Sequence, residues 1–478
     1  MEQNLKNKTL SGILWSAIER FSLQSVQFVI NIIMARLLVP SDYGMIGMLA
    51  IFLQISQAFV DSGFTNALIQ RKDRTETDFS TVFYFNILIA LIFYGILFTS
   101  APTIARFYDM PELINVTKVI SLTLVINSLS AVHRTKLIIN VNFKTQSKIS
   151  LSAAIISGCL GIWMAYTNWG VWALVWQTFT NSILLTILFH FFIRWKPLFT
   201  FSVQSFKQLF SFGSKLLISG MIHTIYKNLY TIVIGKRFSA IDLGYYTRAE
   251  QFAMFPSSNL NTIISRVIFP VLSTIQDNDE QLKIVYRKYM HLSSYIIFPL
   301  MVGLAALAKP TIELLLTNKW SGVVILLQIL CFDWMFDHLS MINLNLLYVK
   351  GRSDLALKLE LIKKTIATII LFISIPFGLI GMCYGRVLYS LIATYLNTKY
   401  TKSLIGLSFL EQIKDILPSL VLSLTMGIVI IISNQLSHNI LINIITSAIL
   451  GISYYIVMSL LFIFNDLNTI YNFIKKSC

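Results

Sequence analysis

The chain has 478 residues, of which 55% are hydrophobic and only 13% charged, and its formal net charge is +16. Soluble globular domains carry about 25% charged residues, so the composition excludes an ordinary soluble domain. Apolar runs recur from Leu10 to Phe464, and each is long enough to cross a bilayer core of about 30 Å. The sequence therefore predicts an all-α polytopic membrane protein, because a barrel would show short alternating strands instead.

The apolar runs predict about fourteen membrane-spanning helices, since one span needs about 20 residues. Their approximate ranges in chain order are 10–38, 44–69, 79–105, 113–133, 149–166, 169–193, 207–234, 245–272, 286–308, 321–349, 359–376, 378–398, 415–434 and 438–464. The cysteines are scattered without a CxxC spacing, at Cys159, Cys331, Cys383 and Cys478. We therefore expect neither a disulfide framework nor a metal site.

Lysine and arginine are distributed unevenly over the alternate connections between these spans. About 23 basic residues fall on the side that holds both termini, and about 5 fall on the other side. Short loops rich in positive charge stay in the cytoplasm, so both termini are expected to be cytoplasmic. The basic residues form no patch interleaved with aromatics, so the positive net charge does not predict a nucleic-acid partner.

Two segments of the sequence resemble each other at an offset of 200 residues. The first is ARLLVPSDYG, from Ala35 to Gly44, and the second is GKRFSAIDLG, from Gly235 to Gly244. Asp42 and Asp242 fall on equivalent positions, where each can cap the next helix. A second pair is NWGVWAL from Asn168 and FGLIGMC from Phe377. A turn type that both halves share is the alternative explanation for either pair.

The repeats predict two halves of six spans each, related by a pseudo-twofold axis along the membrane normal. We expect an N-lobe at 1–200 with spans 1–6 and a C-lobe at 201–400 with spans 7–12. The last two spans, within 401–478, are then a C-terminal appendage.

Polar residues recur at helical spacing inside spans one, two, seven and eight, the first two spans of each half. An ionisable group at the bilayer centre costs about 2.5–3.5 kcal/mol on insertion scales, so each should face a partner or a wet cavity. The candidate cavity residues are Glu19, Arg20, Gln24, Gln27, Asp61, Lys215, Lys227, Arg248, Glu250 and Arg266. Their charges sum to a positive excess, which suits an anion such as a phosphate or diphosphate. The alternative is ion pairing that only holds helices together, such as Asp61 with Lys215.

Several stretches resemble the polysaccharide transporters of the MOP exporter superfamily, in particular the Wzx-type lipopolysaccharide and exopolysaccharide flippases of the colanic-acid exporter branch. The stretches are SGILWSAIERF, ARLLVPSDYG, FVDSGFTNALIQRKDRTETDFSTVFYFN, LFSFGSKLLISG, LGYYTRAEQFAMFPSSNL and INLNLLYVKGRSDLALKLE. The resemblance implies two six-helix lobes around a cationic cavity, alternating access, and a polyprenyl-diphosphate-linked oligosaccharide as substrate. It also implies the bacterial inner (plasma) membrane as location and makes a polysaccharide polymerase a candidate partner.

The resemblance covers some of the cavity candidates residue by residue: Glu19, Arg20, Asp61, Lys215, Arg248 and Glu250 stand on matching motif positions. Lys227 and Arg266 rest on the helical pattern alone. We expect Arg20 to meet the diphosphate and Glu19 to offset part of its charge in the empty cavity.

Two other functions are weighed against a flippase. A multidrug or metabolite exporter of the same superfamily would share the lobes but favour a more acidic and aromatic cavity. A membrane glycosyl polymerase or ligase would need catalytic groups on a substantial outer loop, whereas the predicted outer loops are short and nearly devoid of such groups, with Asp109 and Glu112 as the exceptions considered. We therefore expect no enzymatic activity and no cofactor. Coupling to protons or sodium through Glu19 or Asp61 is left open.

Overall fold

The computed structural model describes residues 21–434 and 439–462. Within these ranges the chain is mostly helical and contains no strand. It divides into two compact units, Met1–Gly244 and Tyr245–Cys478. The all-α polytopic fold expected from the sequence is confirmed for the described residues.

The first unit is a bundle of helices joined by short turns. Its helices are α1 (Phe21–Leu37), α2 (Pro40–Asp61), α3 (Phe64–Gln70), α4 (Glu76–Tyr108), α5 (Leu113–Ile120), α6 (Leu122–Ile139), α7 (Phe143–Tyr166), α8 (Val171–Phe192), α9 (Val203–Lys227) and α10 (Leu229–Arg237). The next helix, α11 (Ala240–Thr274), begins at the end of this unit and continues into the second.

The second unit continues from α11 with further helices. They are α12 (Asp279–Ala306), α13 (Ala308–Leu316), α14 (Gly322–Met335), α15 (Asp337–Val349), α16 (Ser353–Ser374), α17 (Gly378–Thr398), α18 (Thr401–Ile405), α19 (Phe409–Ser433) and α20 (Ile440–Phe462). Within this unit α12 packs most extensively against α19. Short 3₁₀ turns at Asn318–Trp320 and Ile375–Phe377 connect α13 to α14 and α16 to α17.

Capping side chains fix the start of several helices. Asp42 accepts a hydrogen bond from the backbone N–H of Val39 over 3.1 Å, and Asp242 accepts one from Ser239 over 3.2 Å. The capping role predicted for both aspartates in the two repeats is thereby confirmed. Such caps satisfy backbone groups that a helix end leaves without partners.

Apolar side chains cover the outside of the helices as well as their packed faces. On α4, Leu88, Ile92 and Ile96 follow one another at intervals of four residues and are 56%, 47% and 47% exposed, whereas Phe83 and Ala90 are buried. Exposed apolar stripes of this length are stable only against lipid. Ten segments of the described chain are long and apolar enough to span a membrane. The protein is therefore a multi-pass membrane protein.

In the described ranges, helices lie over at least part of each of the fourteen predicted spans, but fourteen crossings remain a prediction. Helices α9 and α11 are not among the ten apolar segments. They are the helices that carry Lys215, Lys227, Arg248, Glu250 and Arg266. Within the first unit α9 packs against α2, α3 and α4. The predicted lobe boundaries at residues 200 and 400 are not tested by these units and remain predictions.

Connections predicted on the cytoplasmic side come together at one end of the first unit. Glu76 accepts hydrogen bonds from Lys136 Nζ over 2.8 Å and from Trp195 Nε1 over 2.6 Å. Arg71 pairs with Asp78 at 3.1 Å. The two Glu76 contacts join the connections around residues 71–76, 140 and 195, as the predicted alternation of loops requires.

The second unit shows the same arrangement at the end that holds its predicted cytoplasmic connections. Lys350 Nζ lies 2.6 Å from Asp279 Oδ1, and Arg287 Nη2 lies 2.5 Å from Asp415 Oδ1. Ion pairs of this kind are placed where water and lipid headgroups meet the helix ends.

Candidate functional site

The polar face predicted for the first span is described only from residue 21 onward. Gln24 is half-buried and Gln27 is exposed on α1. Glu19 and Arg20 lie outside the described residues, so their positions stay predictions. The described part of this face therefore offers neutral amide groups.

Asp61, the last residue of α2, is held by an amide. Gln57 Nε2 donates a hydrogen bond to Asp61 Oδ1 over 3.2 Å, one helical turn away. Arg134 on α6 is the cationic group that acts on Asp61 through space. Among the described residues Asp61 and Lys215 form no salt bridge, so the pairing considered from the sequence is not observed. The Asp61 carboxylate thus keeps acceptor capacity for another group.

The two repeat motifs contact each other reciprocally inside the first unit. A Cβ atom added at Gly44 would overlap the carbonyl group of Ala240, and a Cβ added at Gly244 would overlap the carbonyl group of Pro40. At the offset of 200 residues these two contacts are equivalent. Only glycine allows the backbones to come so close. We call Pro40, Gly44, Ala240 and Gly244 the repeat contact.

Glycines also bring α2 and α9 together near the other end of α2. A Cβ atom at Gly63 would stand 2.6 Å from the carbonyl oxygen of Gly213. Gly63 has a φ of 69°, which ends α2 and allows α3 to start in a new direction. Between the two ends, Asn228 Nδ2 donates to Gln54 Oε1 over 3.0 Å. Helices α2 and α9–α10 therefore run antiparallel in close contact.

Two lysines on α9 carry charge that no described residue neutralises. Lys215 and Lys227 are both exposed, and within the described ranges neither forms a hydrogen bond or an ion pair. They are twelve residues apart, which is about 18 Å along a helix. Charge that no partner neutralises is available to an anionic ligand.

Arg248 on α11 is buried, with 6% exposure. Its Nη1 donates to Gln251 Oε1 over 2.7 Å, and its guanidinium lies 5.9 Å from the centre of the Trp320 ring. The cation–π contact and the amide fix the position of a charged group at low water exposure. Arg266, further along α11, is exposed.

Glu250 belongs to an ion cluster inside the second unit, which we call the ion triad (Glu250, Asp333 and Arg386). Arg386 Nη1 lies 2.7 Å from Glu250 Oε1, and Arg386 Nη2 lies 2.7 Å from Asp333 Oδ2. Tyr246 Oη accepts a further bond from Nη1 over 2.5 Å. The triad joins α11, α14 and α17, and its guanidinium donates to two carboxylates at once.

Sequence reasoning missed Arg386 and Arg134 as site candidates. Arg386 stands within the predicted span 378–398, where the cost of a buried charge would have identified it. Arg134 was counted among the loop cations but lies within α6. The search for ionisable residues was made in the first two spans of each half. The same search in the remaining spans and at their ends would have found both arginines.

The other ionisable groups of span ten are engaged in hydrogen bonds. Asp337 Oδ2 accepts from Asn261 Nδ2 over 2.8 Å. His338 Nδ1 donates to the carbonyl of Met335 over 2.8 Å, and Ser294 lies 2.9 Å from its Nε2. In the described ranges no three His, Cys, Asp or Glu side chains are placed to hold a metal ion. These groups therefore hold the helices of the second unit together.

The fold matches solved membrane transporters along most of the chain. The lipid II flippase MurJ, in its inward closed conformation, aligns with a TM-score of 0.75 over 95% of this chain and 99% of that chain, at 17% identity. An inward-facing multidrug resistance MATE transporter of the MOP superfamily aligns with a TM-score of 0.62 over 83% of this chain and 98% of the other, at 15% identity. The architecture is that of the MOP-superfamily transporters.

The sequence comparison narrows this class to a family. The family described as "Polysaccharide biosynthesis protein" matches residues 33–325, and the chain belongs to this family. The lipopolysaccharide biosynthesis protein WzxC of Escherichia coli (strain K12) is 26% identical over 89% of each chain. The teichuronic acid biosynthesis protein TuaB of Bacillus subtilis (strain 168) is 26% identical over 74% of each chain. The succinoglycan biosynthesis transport protein ExoT of Rhizobium meliloti (strain 1021) is 25% identical over 67% of this chain and 65% of its own.

Proposed function

We propose that this chain is a flippase that moves a lipid-linked oligosaccharide across the membrane by alternating access, for lipopolysaccharide or exopolysaccharide biosynthesis. The observation that carries the proposal is membership of the polysaccharide biosynthesis family over residues 33–325. Its relatives are named for the biosynthesis or transport of lipopolysaccharide, teichuronic acid and succinoglycan. The substrate we propose for this chain is a sugar unit joined to a hydrophobic carrier lipid through a diphosphate.

The charges on α9 support an anionic substrate. Lys215 and Lys227 are exposed and have no partner among the described residues, whereas Glu250 is already neutralised by Arg386. A phosphate group can therefore gain charge-assisted hydrogen bonds from α9 without first breaking an ion pair. The lipid tail would stay in the bilayer while these groups receive the diphosphate.

Arg20 and Glu19 are proposed to complete the diphosphate site. Arginine donates two parallel hydrogen bonds to neighbouring phosphate oxygens and stays charged when it is desolvated. Arg20→Ala should abolish surface polysaccharide, Arg20→Lys should keep part of it, and Glu19→Gln should have a milder effect. Full polysaccharide from a well-expressed Arg20→Ala variant would contradict this role.

A multidrug exporter is the second candidate, because MATE transporters share the fold. An exporter of cationic drugs needs acidic groups that are free to pair with the drug. Among the described membrane carboxylates discussed above, Glu250 and Asp333 are paired with Arg386, which leaves Asp61 and Asp337 with amide partners, against two exposed lysines on α9 that no described residue neutralises. The open positive charge on α9 therefore favours the flippase.

Location, orientation and partners are further parts of the proposal. The excess of basic residues on one set of loops supports cytoplasmic termini. We place the protein in the bacterial inner membrane, where lipid-linked sugar units are assembled on the cytoplasmic side. A polysaccharide polymerase on the other side is the partner that would consume the transported units.

The function is tested by complementation after deletion of the gene in its own strain. The wild-type chain should restore surface polysaccharide, and the double variant Lys215→Glu, Lys227→Glu should reduce it at least tenfold, since each lost charged contact costs about 1.5–3 kcal/mol. Lys207→Glu, at the start of the same helix α9, is the matched control and should behave as wild type. Membrane levels are checked by blotting. Normal polysaccharide in the deletion strain would overturn the function itself.

A further inference from the structure

The predicted outer end of the first unit holds a cavity that the proposed transport step does not use. Its volume is about 440 Å³, within the range of roughly 300–1,000 Å³ typical of ligand sites. Three connections line it: the start of α2, the segment before α5 and the segment before α8. All three are connections that the basic-residue count places on the outer side.

The walls of the cavity combine two indole rings with amide and carboxyl groups. Trp169 is 50% exposed and Trp172 is half-buried beside it. Glu112, Asn115 and Asn168 are exposed and line the same cavity. Among the described residues, the polar side-chain atoms of these five residues have no hydrogen-bond or ion-pair partner. They are free to bind a ligand.

The position of the two tryptophans is fixed by the turn before α8. Asn168 has a φ of 63° and Gly170 a φ of 55°, so the chain reverses tightly on both sides of Trp169. The backbone N–H of Trp169 donates to the carbonyl of Met164 over 3.1 Å, and the backbone N–H of Trp172 donates to the carbonyl of Trp169 over 3.2 Å. The indoles therefore stand on a defined backbone, which lowers the entropy cost of binding.

We propose that this cavity binds a neutral or amino saccharide on the outer face of the membrane. The C–H face of a pyranose ring stacks on an indole, and sugar hydroxyls both donate and accept hydrogen bonds, as the amides of Asn115 and Asn168 do. No lysine or arginine lines the cavity, and Glu112 is an acceptor, so uronic acids and phosphates are disfavoured. The neighbouring acid, Asp109, forms an ion pair with Lys236, with 3.1 Å between Asp109 Oδ2 and Lys236 Nζ.

The inference rests on the proposed function and extends it. A flippase releases its sugar unit at the outer face while the lipid stays in the bilayer. A saccharide site beside the exit would hold that unit until the next enzyme takes it. The competing explanation is that the tryptophans are ordinary aromatic anchors at the membrane interface.

Binding of the purified full-length protein to an array of neutral, amino and acidic bacterial saccharides separates the two explanations. Wild type should retain neutral or amino sugars, and Trp169→Ala should weaken retention by at least about tenfold. Glu112→Gln should weaken amino sugars most. Trp163→Ala is the matched control. Trp163 lies in the last turn of α7, just before the turn that carries Trp169, and it is 59% exposed but does not line the cavity.

Absence of any retained saccharide, retention of acidic sugars alone, or equal losses in the Trp163 and Trp169 variants would each overturn the proposal. The array does not depend on transport. Array binding with failed complementation would remove the flippase function and keep the site. Complementation without array binding would remove only the site.

Discussion

Between α2 and α9–α10 of the first unit, the polar groups that meet are amides and carbonyls: Asn228 donates to Gln54, and glycines bring the backbones together on either side of that bond. In the second unit, a guanidinium joins two carboxylates from different helices. A glycine contact depends on shape and can separate without leaving a charge behind. An ion triad cannot, because each member would be left unpaired in a low-dielectric interior. We therefore expect α2 to separate from α9 at a lower energetic cost than α11, α14 and α17 separate from one another.

The largest effect is expected from breaking the ion triad. Arg386→Met leaves Glu250 and Asp333 as close carboxylates without a cation, and removing one member of a buried pair typically costs about 3–5 kcal/mol. We expect most of the protein to be lost from membranes, or its midpoint of thermal unfolding in detergent to fall sharply. Glu250→Gln is the control, since its amide oxygen still accepts from Arg386. A fully folded Arg386→Met variant would show that the triad does not hold the second unit.

A smaller effect on stability is expected at the repeat contact. A glycine-to-alanine change there should destabilise the protein, whereas the same change at a control glycine should stabilise it. Alanine is favoured over glycine within helices by about 0.5–1 kcal/mol. At Gly95 nothing lies within 4 Å of an added Cβ, so Gly95→Ala should stabilise the protein slightly. At Gly44 the same atom meets the backbone of Ala240, so Gly44→Ala should destabilise by about 1–3 kcal/mol. Thermal unfolding of both variants measures the difference, and equal shifts would mean that the contact is loose.

The smallest effect on stability, with the clearest effect on transport, is expected at Asp61. Asp61→Asn keeps an oxygen that accepts from Gln57, so the folded state should change by less than about 1 kcal/mol. If a proton or sodium ion drives transport, Asp61 is a candidate to bind it, because it is a described membrane carboxylate without an ion-pair partner. Flipping by wild type should then slow when the proton gradient is collapsed or sodium is replaced, and flipping by Asp61→Asn should not respond. Coupling that survives in Asp61→Asn but disappears in Glu250→Gln would move the ion site to the triad.

The positions of the helices could be predicted because they depend on local sequence. Apolar runs specify where helices lie, and Asp42 and Asp242 are recognisable caps because the cap and its helix are neighbours in the chain. The repeat was visible for the same reason. The break at Ser62 and Gly63 was not predicted, since the predicted span 44–69 runs across it. Left-handed backbone at these positions depends on the packing of Gly63 against Gly213, which are far apart in sequence.

The partners of the candidate site residues could not be predicted, because they depend on how each helix is oriented about its axis relative to its neighbours. Glu250 was a cavity candidate, yet only the packing of α11, α14 and α17 brings Asp333 and Arg386 to it. Asp61 was considered as a partner of Lys215, but its nearest donor is Gln57 on its own helix. Spacing places a residue on a helix face, whereas contact requires the neighbouring helix as well.

The repeat contact has a consequence for how sequences of this family diverge. In a reciprocal contact the same surface is used twice, as at the interface of a symmetric dimer. A side chain at position 44 would meet the backbone of residue 240, and one at position 244 would meet the backbone of residue 40. Every residue has that backbone, so a change at position 240 or 40 cannot make room for a side chain. We therefore expect glycine to be retained at both 44 and 244, whereas the side chains at 40 and 240 should be free to vary.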